Sequence, residues 1–212
     1  MRIGGIIFNK GFNVDLYVYY MKIETHGLKG VHATTKSRLA EIRRNGFEIG
    51  VGERGAGIYF WKSSPFQEDL AVGWYETRLE PHDSCKVCGV VYSRFEVGAD
   101  EYINLDENYL KEGLLCFCKT NNFENKRLAA GKIYDEFLER LEKDLGLDLK
   151  LVEVQVVPPK KSNYPTQIAG MASCLVARNS ECIIIEASET VEKKDFETWK
   201  QAKELERQRS GL

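Results

Sequence analysis

A chain of 212 residues with 43% hydrophobic and 29% charged side chains has the make-up of one good-sized soluble globular domain, too short for a second full one. Its formal net charge of −2 excludes a broad electrostatic footprint for nucleic acid, which needs many clustered Lys and Arg, while leaving room for a local basic groove. No apolar run approaches a membrane span, and Met1 to Lys10 lacks the h-region and cleavage pattern of a secretory signal, so a cytoplasmic protein without membrane contact is expected.

In chain order, Leu16 to Ile23 is rich in aromatic and β-branched residues and predicts a strand, and Leu28 to Thr34 predicts a second one carrying His32 near its end. Thr35 is placed to cap a helix with Leu39 and Ile42 on its buried face and Gly46 as its stop. Five glycines between Gly46 and Gly57, with few apolar residues, predict an irregular, mobile loop. A short strand follows over Gly57 to Trp61. Ser64-Pro65-Phe66-Gln67 then reads as a helix start, with a Ser cap, Pro at the first position and Gln three residues after the cap, for a helix running to about Leu79.

Val87 to Val97 and Tyr102 to Leu105 predict strands. From Asn108 the spacing turns helical, with Leu128, Ile133, Phe137, Leu138, Leu141 and Leu145 on one face, and Gly146 ends it. Leu149 to Val157 alternates as a strand and stops at Pro158-Pro159. Two more strands are expected near Ala172 to Ala177 and Glu181 to Ala187, before an amphipathic helix over Glu192 to Arg209 with Phe196 and Trp199 on one side. Strands and helices interspersed without βαβ alternation favour an α+β fold over a doubly wound sheet.

Six cysteines in a chain expected in the cytoplasm read as thiols or metal ligands before disulfides. Cys85-x-x-Cys88 and Cys116-x-Cys118 would together make a four-thiolate zinc site. The single residue between the second pair departs from structural zinc spacing, and Cys116 and Cys118 stand in the apolar run Leu114 to Cys118, so thiols without metal are the favoured reading.

Three distant pieces carry chemistry. They are Val31-His32-Ala33-Thr34, Gly57-Ile58-Tyr59-Phe60, and Asn179-Ser180-Glu181-Cys182-Ile183-Ile184-Ile185. In this order they resemble the three signature elements of the ADP-ribosyltransferase superfamily, in the histidine–tyrosine–glutamate branch that holds diphtheria-toxin-like enzymes and poly(ADP-ribose) polymerase catalytic domains. The resemblance covers roughly Gly30 to Trp74 and Ala172 to Ala187. It implies an α+β fold with a split β-sheet core and peripheral helices, as one catalytic domain over residues 1–212. Residues 106–148 would then be a lineage-specific helical insert and 190–212 a C-terminal helix.

By that resemblance the co-substrate is NAD+, and each site residue takes a role. His32 would bond a ribose hydroxyl, Ala33 would grip the nicotinamide carboxamide through its backbone, and Thr34 would support the same amide. Ala33 stands where the family has Gly, and it can serve provided its φ is negative. Tyr59 would stack on one face of the nicotinamide and Tyr75 on the other, with Trp74 the alternative to Tyr75, because a π-face attracts the electron-poor pyridinium. Glu181 would stabilise the ribosyl oxocarbenium ion left when nicotinamide departs. Arg178 and Asn179 lie where the family recognises its acceptor, and Asn179 in place of Glu counts against arginine as that acceptor. Arg54, in the glycine-rich loop, is placed to reach a phosphate.

The implied activity is mono-ADP-ribosyl transfer to a macromolecule, protein or nucleic acid, in the manner of a bacterial or phage conflict toxin with a possible antitoxin partner. An NAD+ glycohydrolase would use the same residues with water as acceptor. A non-catalytic binding module with the same pocket is the third alternative.

Overall fold

The computed structural model describes residues 6–8, 12–14, 27–123 and 130–210. Two short strands, β1 (Ile6–Phe8) and β2 (Phe12–Val14), pair with each other as an antiparallel hairpin. The strand expected over Leu16 to Ile23 and the helical position Leu128 lie outside the described residues.

The main body is α+β. Its strands are β3 (Lys29–Thr35), β4 (Gly50–Gly52), β5 (Gly55–Lys62), β6 (Val87–Phe95), β7 (Tyr102–Asn104), β8 (Leu151–Val156), β9 (Ala172–Ala177) and β10 (Ile183–Glu192). They form one eight-stranded sheet in the order β10-β6-β3-β5-β9-β8-β7, with β4 paired to β5, and every pairing but β7–β8 is antiparallel.

One seam in this sheet differs from the rest. β3 and β5 pair only at Gly30↔Lys62 and Val31↔Trp61. Beyond those two pairs β3 continues against β6 alone, and β5 against β9 and β4. Two half-sheets therefore diverge from a short common hinge. The alternation of side chains explains what each face carries. On one face Val31, Ala33, Cys88 and Val90 pack under α2 (Gln67–Trp74) and α6 (Phe196–Ser210), while Cys174, Val176, Val152 and Val154 pack under α3 (Asn108–Thr120) and α4 (Ala130–Leu145). On the other face Ile58, Phe60, Phe95, Leu175 and Cys182 form a third cluster joined by edge-on aromatic contacts, Phe60 to Phe95 at 5.0 Å.

Most elements follow from local chemistry. The Thr35 hydroxyl accepts from the Arg38 N–H to cap α1 (Lys36–Asn45), and Gly46 ends it at φ 79°. α2 starts at Gln67, later than the Ser64 cap predicts, because the Ser64 hydroxyl takes the Phe66 N–H in a local turn instead. It continues into a π-helical turn over Tyr75–Leu79, and a short helix, α5 (Thr166–Ala169), stands before β9. The single helical stretch expected from Asn108 is two helices, α3 and α4, and both lie over the β5-β9-β8 half, where Leu110, Phe137, Leu138 and Leu141 are core residues. α6 is fixed by an ion pair from Arg207 to the buried Glu68, which also accepts from Gln67 and Tyr92, and Arg207 reaches the Pro65 carbonyl too. No helix among the described residues is long and apolar enough to cross a membrane.

The glycine-rich segment after α1 is not the irregular loop its composition predicts. Gly50–Gly52 and Gly55–Lys62 make a hairpin, turned at Gly55, whose φ of 100° suits glycine. The turn is pinned to α4: the Ala56 N–H donates to Asp135 Oδ1 at 2.8 Å, and a Cβ on Gly131 would stand 2.0 Å from the Gly52 carbonyl oxygen. The reason glycine content misleads here is that close backbone packing, and not mobility, calls for it.

Candidate functional site

Where β3 and β5 part, a cleft of about 530 Å³ opens, a size suited to a small molecule or cofactor. Continuing the hinge register by two residues would set Ala33 opposite Tyr59, so the first two sequence elements face each other across the gap. The cleft is lined there by His32, Ala33, Thr34 and Tyr59. Its walls come from the hairpin segment, through Glu48, Glu53 and Arg54, and from the end of α2 and its π-turn, through Trp74 and Arg78. Arg38 of α1 completes the rim.

His32 stands where the ladder stops. Its Nδ1 lies 2.8 Å from the Tyr59 carbonyl oxygen. A carbonyl only accepts, so Nδ1 carries the proton and Nε2 is left with a free lone pair. The ring is held edge-on by Phe47 at 5.3 Å and tilted against Phe60 at 5.5 Å. Burial holds its pKa below the ordinary histidine value, with the Tyr59 carbonyl working in the other direction and the nearby Arg38 charge lowering it further. The imidazole is thus neutral at pH 7, with an acceptor nitrogen for a hydroxyl. Ala33 has ordinary strand φ, since the positive values outside glycine, among the described residues, belong to Lys86 and Asn122.

The Tyr59 phenol is fixed by the hairpin turn. It donates to the Gly55 carbonyl at 2.6 Å and accepts from the Arg54 N–H at 3.0 Å, and burial pushes its pKa up to about 12. Gly52 lies against the ring so closely that a Cβ would come within 2.4 Å of it. Arg54 itself lies over the Tyr134 ring at 5.1 Å, and its Nε is buried without a hydrogen-bond partner. Cys174 also lines the cleft, but burial pushes its thiol up to about 12, so it is protonated and no nucleophile.

Four of the residues named from the sequence, Tyr75, Glu181, Arg178 and Asn179, lie away from this cleft. Tyr75 does not face the cleft: it is fully buried, donates to Asp83 at 2.5 Å and packs edge-on to Phe196 at 6.1 Å. Its neighbour Trp74 lines the cleft instead, 39% exposed, with the Arg78 guanidinium over its ring at 5.5 Å. Because α2 is buried on nearly all sides, no apolar stripe in the sequence marks which of the two aromatics points inward.

Glu181 does not line the cleft either. It is exposed in a short 3₁₀ turn, Ser180–Cys182, where its N–H donates to Asn179 Oδ1 at 2.8 Å, and its charge is felt by Lys150. β10 lies at the edge of the sheet beyond β6, and the residue in the row of His32 is Ser188, through Val91. Glu181 precedes Ile183, which pairs with Phe95 at the other end of that ladder.

Arg178 and Asn179 are also elsewhere. Arg178 makes a half-buried ion pair with Glu142 of α4 at 2.8 Å, and Asn179 caps the 3₁₀ turn. Neither lines the cleft. The two cysteine pairs do not meet as a zinc site: Cys88 is buried in the core beside β3, Cys116 and Cys118 lie on α3, and no group of three or more His, Cys, Asp or Glu among the described residues could hold a metal ion.

Four rim residues carry no motif to mark them in the sequence. Arg38, Arg78 and the glutamates Glu48 and Glu53 all line the cleft, and the one signal available was the i, i+4 spacing of Trp74 and Arg78 on a helix. A second hollow, of about 590 Å³ beside Lys29, Arg94 and Glu186, has its charges paired within itself, Lys29 to Glu186 at 3.0 Å. Comparison with family models, curated proteins and solved structures finds no match for this chain.

Proposed function

We propose that the cleft binds NAD+, nicotinamide–ribose end at the opened seam, and that the protein uses it as an ADP-ribosyl donor to a macromolecular acceptor. One observation carries this: His32, Ala33, Thr34 and Tyr59, separated in sequence, line one cleft formed where two half-sheets part. We read that parting as support for the split-sheet core that the resemblance to ADP-ribosyltransferases implies. The neutral His32 offers Nε2 to a ribose hydroxyl. Trp74 and Tyr59 offer ring faces to the pyridinium, which a π-face attracts. Arg54 offers a cation to the phosphates.

Glu181 has no part in this reading. The carboxylates that line the cleft, among the described residues, are Glu48 and Glu53, and both are paired to arginines of the rim, Arg38 and Arg78. A second reading, NAD+ binding without turnover, is favoured by the same placement of Glu181 outside the cleft.

Incubating the protein with NAD+ labelled in its adenosine half, alone and with cell extract, separates the outcomes. Nicotinamide release with label on a macromolecule is the expected result. Free ADP-ribose alone would make the protein a glycohydrolase. Saturable binding without nicotinamide release would leave a binding module, and no binding at all would overturn the assignment of the cleft.

A further inference from the structure

We infer that Arg38, Arg54 and Arg78 form a diphosphate subsite at the rim of the cleft, in which Glu48 and Glu53 are resident anions that the ligand displaces. The inference rests on the NAD+ reading for the rest of the ligand, but the subsite itself is argued from charge and geometry. Three guanidinium groups from three separate elements, α1, the hairpin turn and the π-turn, line one rim. Arg54 Nε is buried with no partner, a costly condition that a phosphate oxygen would relieve. The other two guanidinium groups are paired to the hairpin segment: Arg38 to Glu48, and Arg78 to Glu53 at 3.6 Å.

Those pairs are of the weak, exposed kind. The side chains are 44% and 71% exposed in the first pair and 56% and 80% in the second, so water and salt screen both. A diphosphate presents two charges and several oxygens in a geometry that guanidinium forks grip bidentately, an advantage a single exposed carboxylate lacks. The ligand therefore competes with the two glutamates for the same cations. It follows that removing the glutamates' charge should tighten binding, the reverse of what a glutamate that contacts ligand would do.

The test measures binding of ADP, ADP-ribose and nicotinamide riboside by calorimetry to the full chain, to the double variant Glu48→Gln with Glu53→Gln, and to the double variant Arg54→Gln with Arg78→Gln. The expected result is ADP and ADP-ribose about fivefold tighter in the glutamine pair and at least tenfold weaker in the arginine-depleted pair, with nicotinamide riboside unchanged in both. The glutamine variants are isosteric at exposed positions, so a folding defect does not obscure them. Weaker ADP binding in the glutamine pair, unchanged ADP binding in the arginine-depleted pair, or no ADP binding to the parent chain would each overturn the subsite. Arginine-dependent ADP binding with no nicotinamide riboside binding would uphold the subsite and overturn the NAD+ reading instead.

Discussion

Two pairs of neighbouring strands in this sheet behave in opposite ways. β6 and β10 pair along nearly their whole length, from Ile183↔Phe95 to Glu192↔Val87, whereas β3 and β5 release each other after two residue pairs. The long ladder leaves no room for a ligand, and Glu181 at its end is a solvated turn residue. The short ladder exposes backbone groups that side chains must satisfy, and His32 does so by taking the Tyr59 carbonyl. The difference teaches that this sheet opens a ligand-sized cleft where pairing fails, and that Glu181, at the end of the long ladder, lies outside it.

That contrast can be broken most forcefully at the two adjacent aromatics. Tyr75→Ala removes a fully buried ring and should cost about 3–5 kcal/mol, seen as a large fall in thermal midpoint. Trp74→Ala should leave stability within about 0.5 kcal/mol and instead weaken NAD+ about tenfold, the scale of a lost cation–π or stacking contact. Equal loss of stability in both variants would show that the helix end had been misassigned to the cleft wall.

The anchored hairpin offers the next test. Gly131→Ala forces a Cβ to within 2.0 Å of the Gly52 carbonyl, so α4 and the hairpin must separate, at about 1–3 kcal/mol. Because Gly52 also covers Tyr59, NAD+ affinity should fall together with stability, as paired melting and binding curves would reveal.

Acid provides a milder probe of the seam. Burial, the largest influence on His32, lowers its pKa, so the unfolded chain takes up a proton near pH 6.5 while the folded chain does so only at lower pH. The stability tied to the neutral imidazole is complete above about pH 6.5 and is lost as pH falls through the folded value. Unfolding midpoints should therefore drop between pH 7 and 5 more in the parent chain than in His32→Gln. Parallel curves would mean that the ring is freely solvated.

Much of this was legible in the sequence because it is local. The Thr35 cap, the Gly46 stop, the β3 and β5 strands and the proline-terminated β8 all follow from neighbouring residues. What stayed hidden depends on pairing at long range. Nothing near Glu181 reveals that β10 adds to the sheet beside β6 instead of beside β5. The Gly50-Val51-Gly52 strand lacks the β-branched composition that marks strands, since its glycines serve close packing against Tyr59 and α4. Tyr75 and Trp74 are one helical step apart in an element buried nearly all round, so periodicity could not choose between them.

The most direct measurement is a comparison of NAD+ affinity in the parent chain, His32→Ala and Glu181→Gln. His32→Ala removes the acceptor and orphans the Tyr59 carbonyl, and should weaken binding by about tenfold to a hundredfold. Glu181→Gln, at an exposed turn outside the cleft, should bind as the parent does. A large loss in Glu181→Gln with none in His32→Ala would contradict the placement of the site at the opened seam.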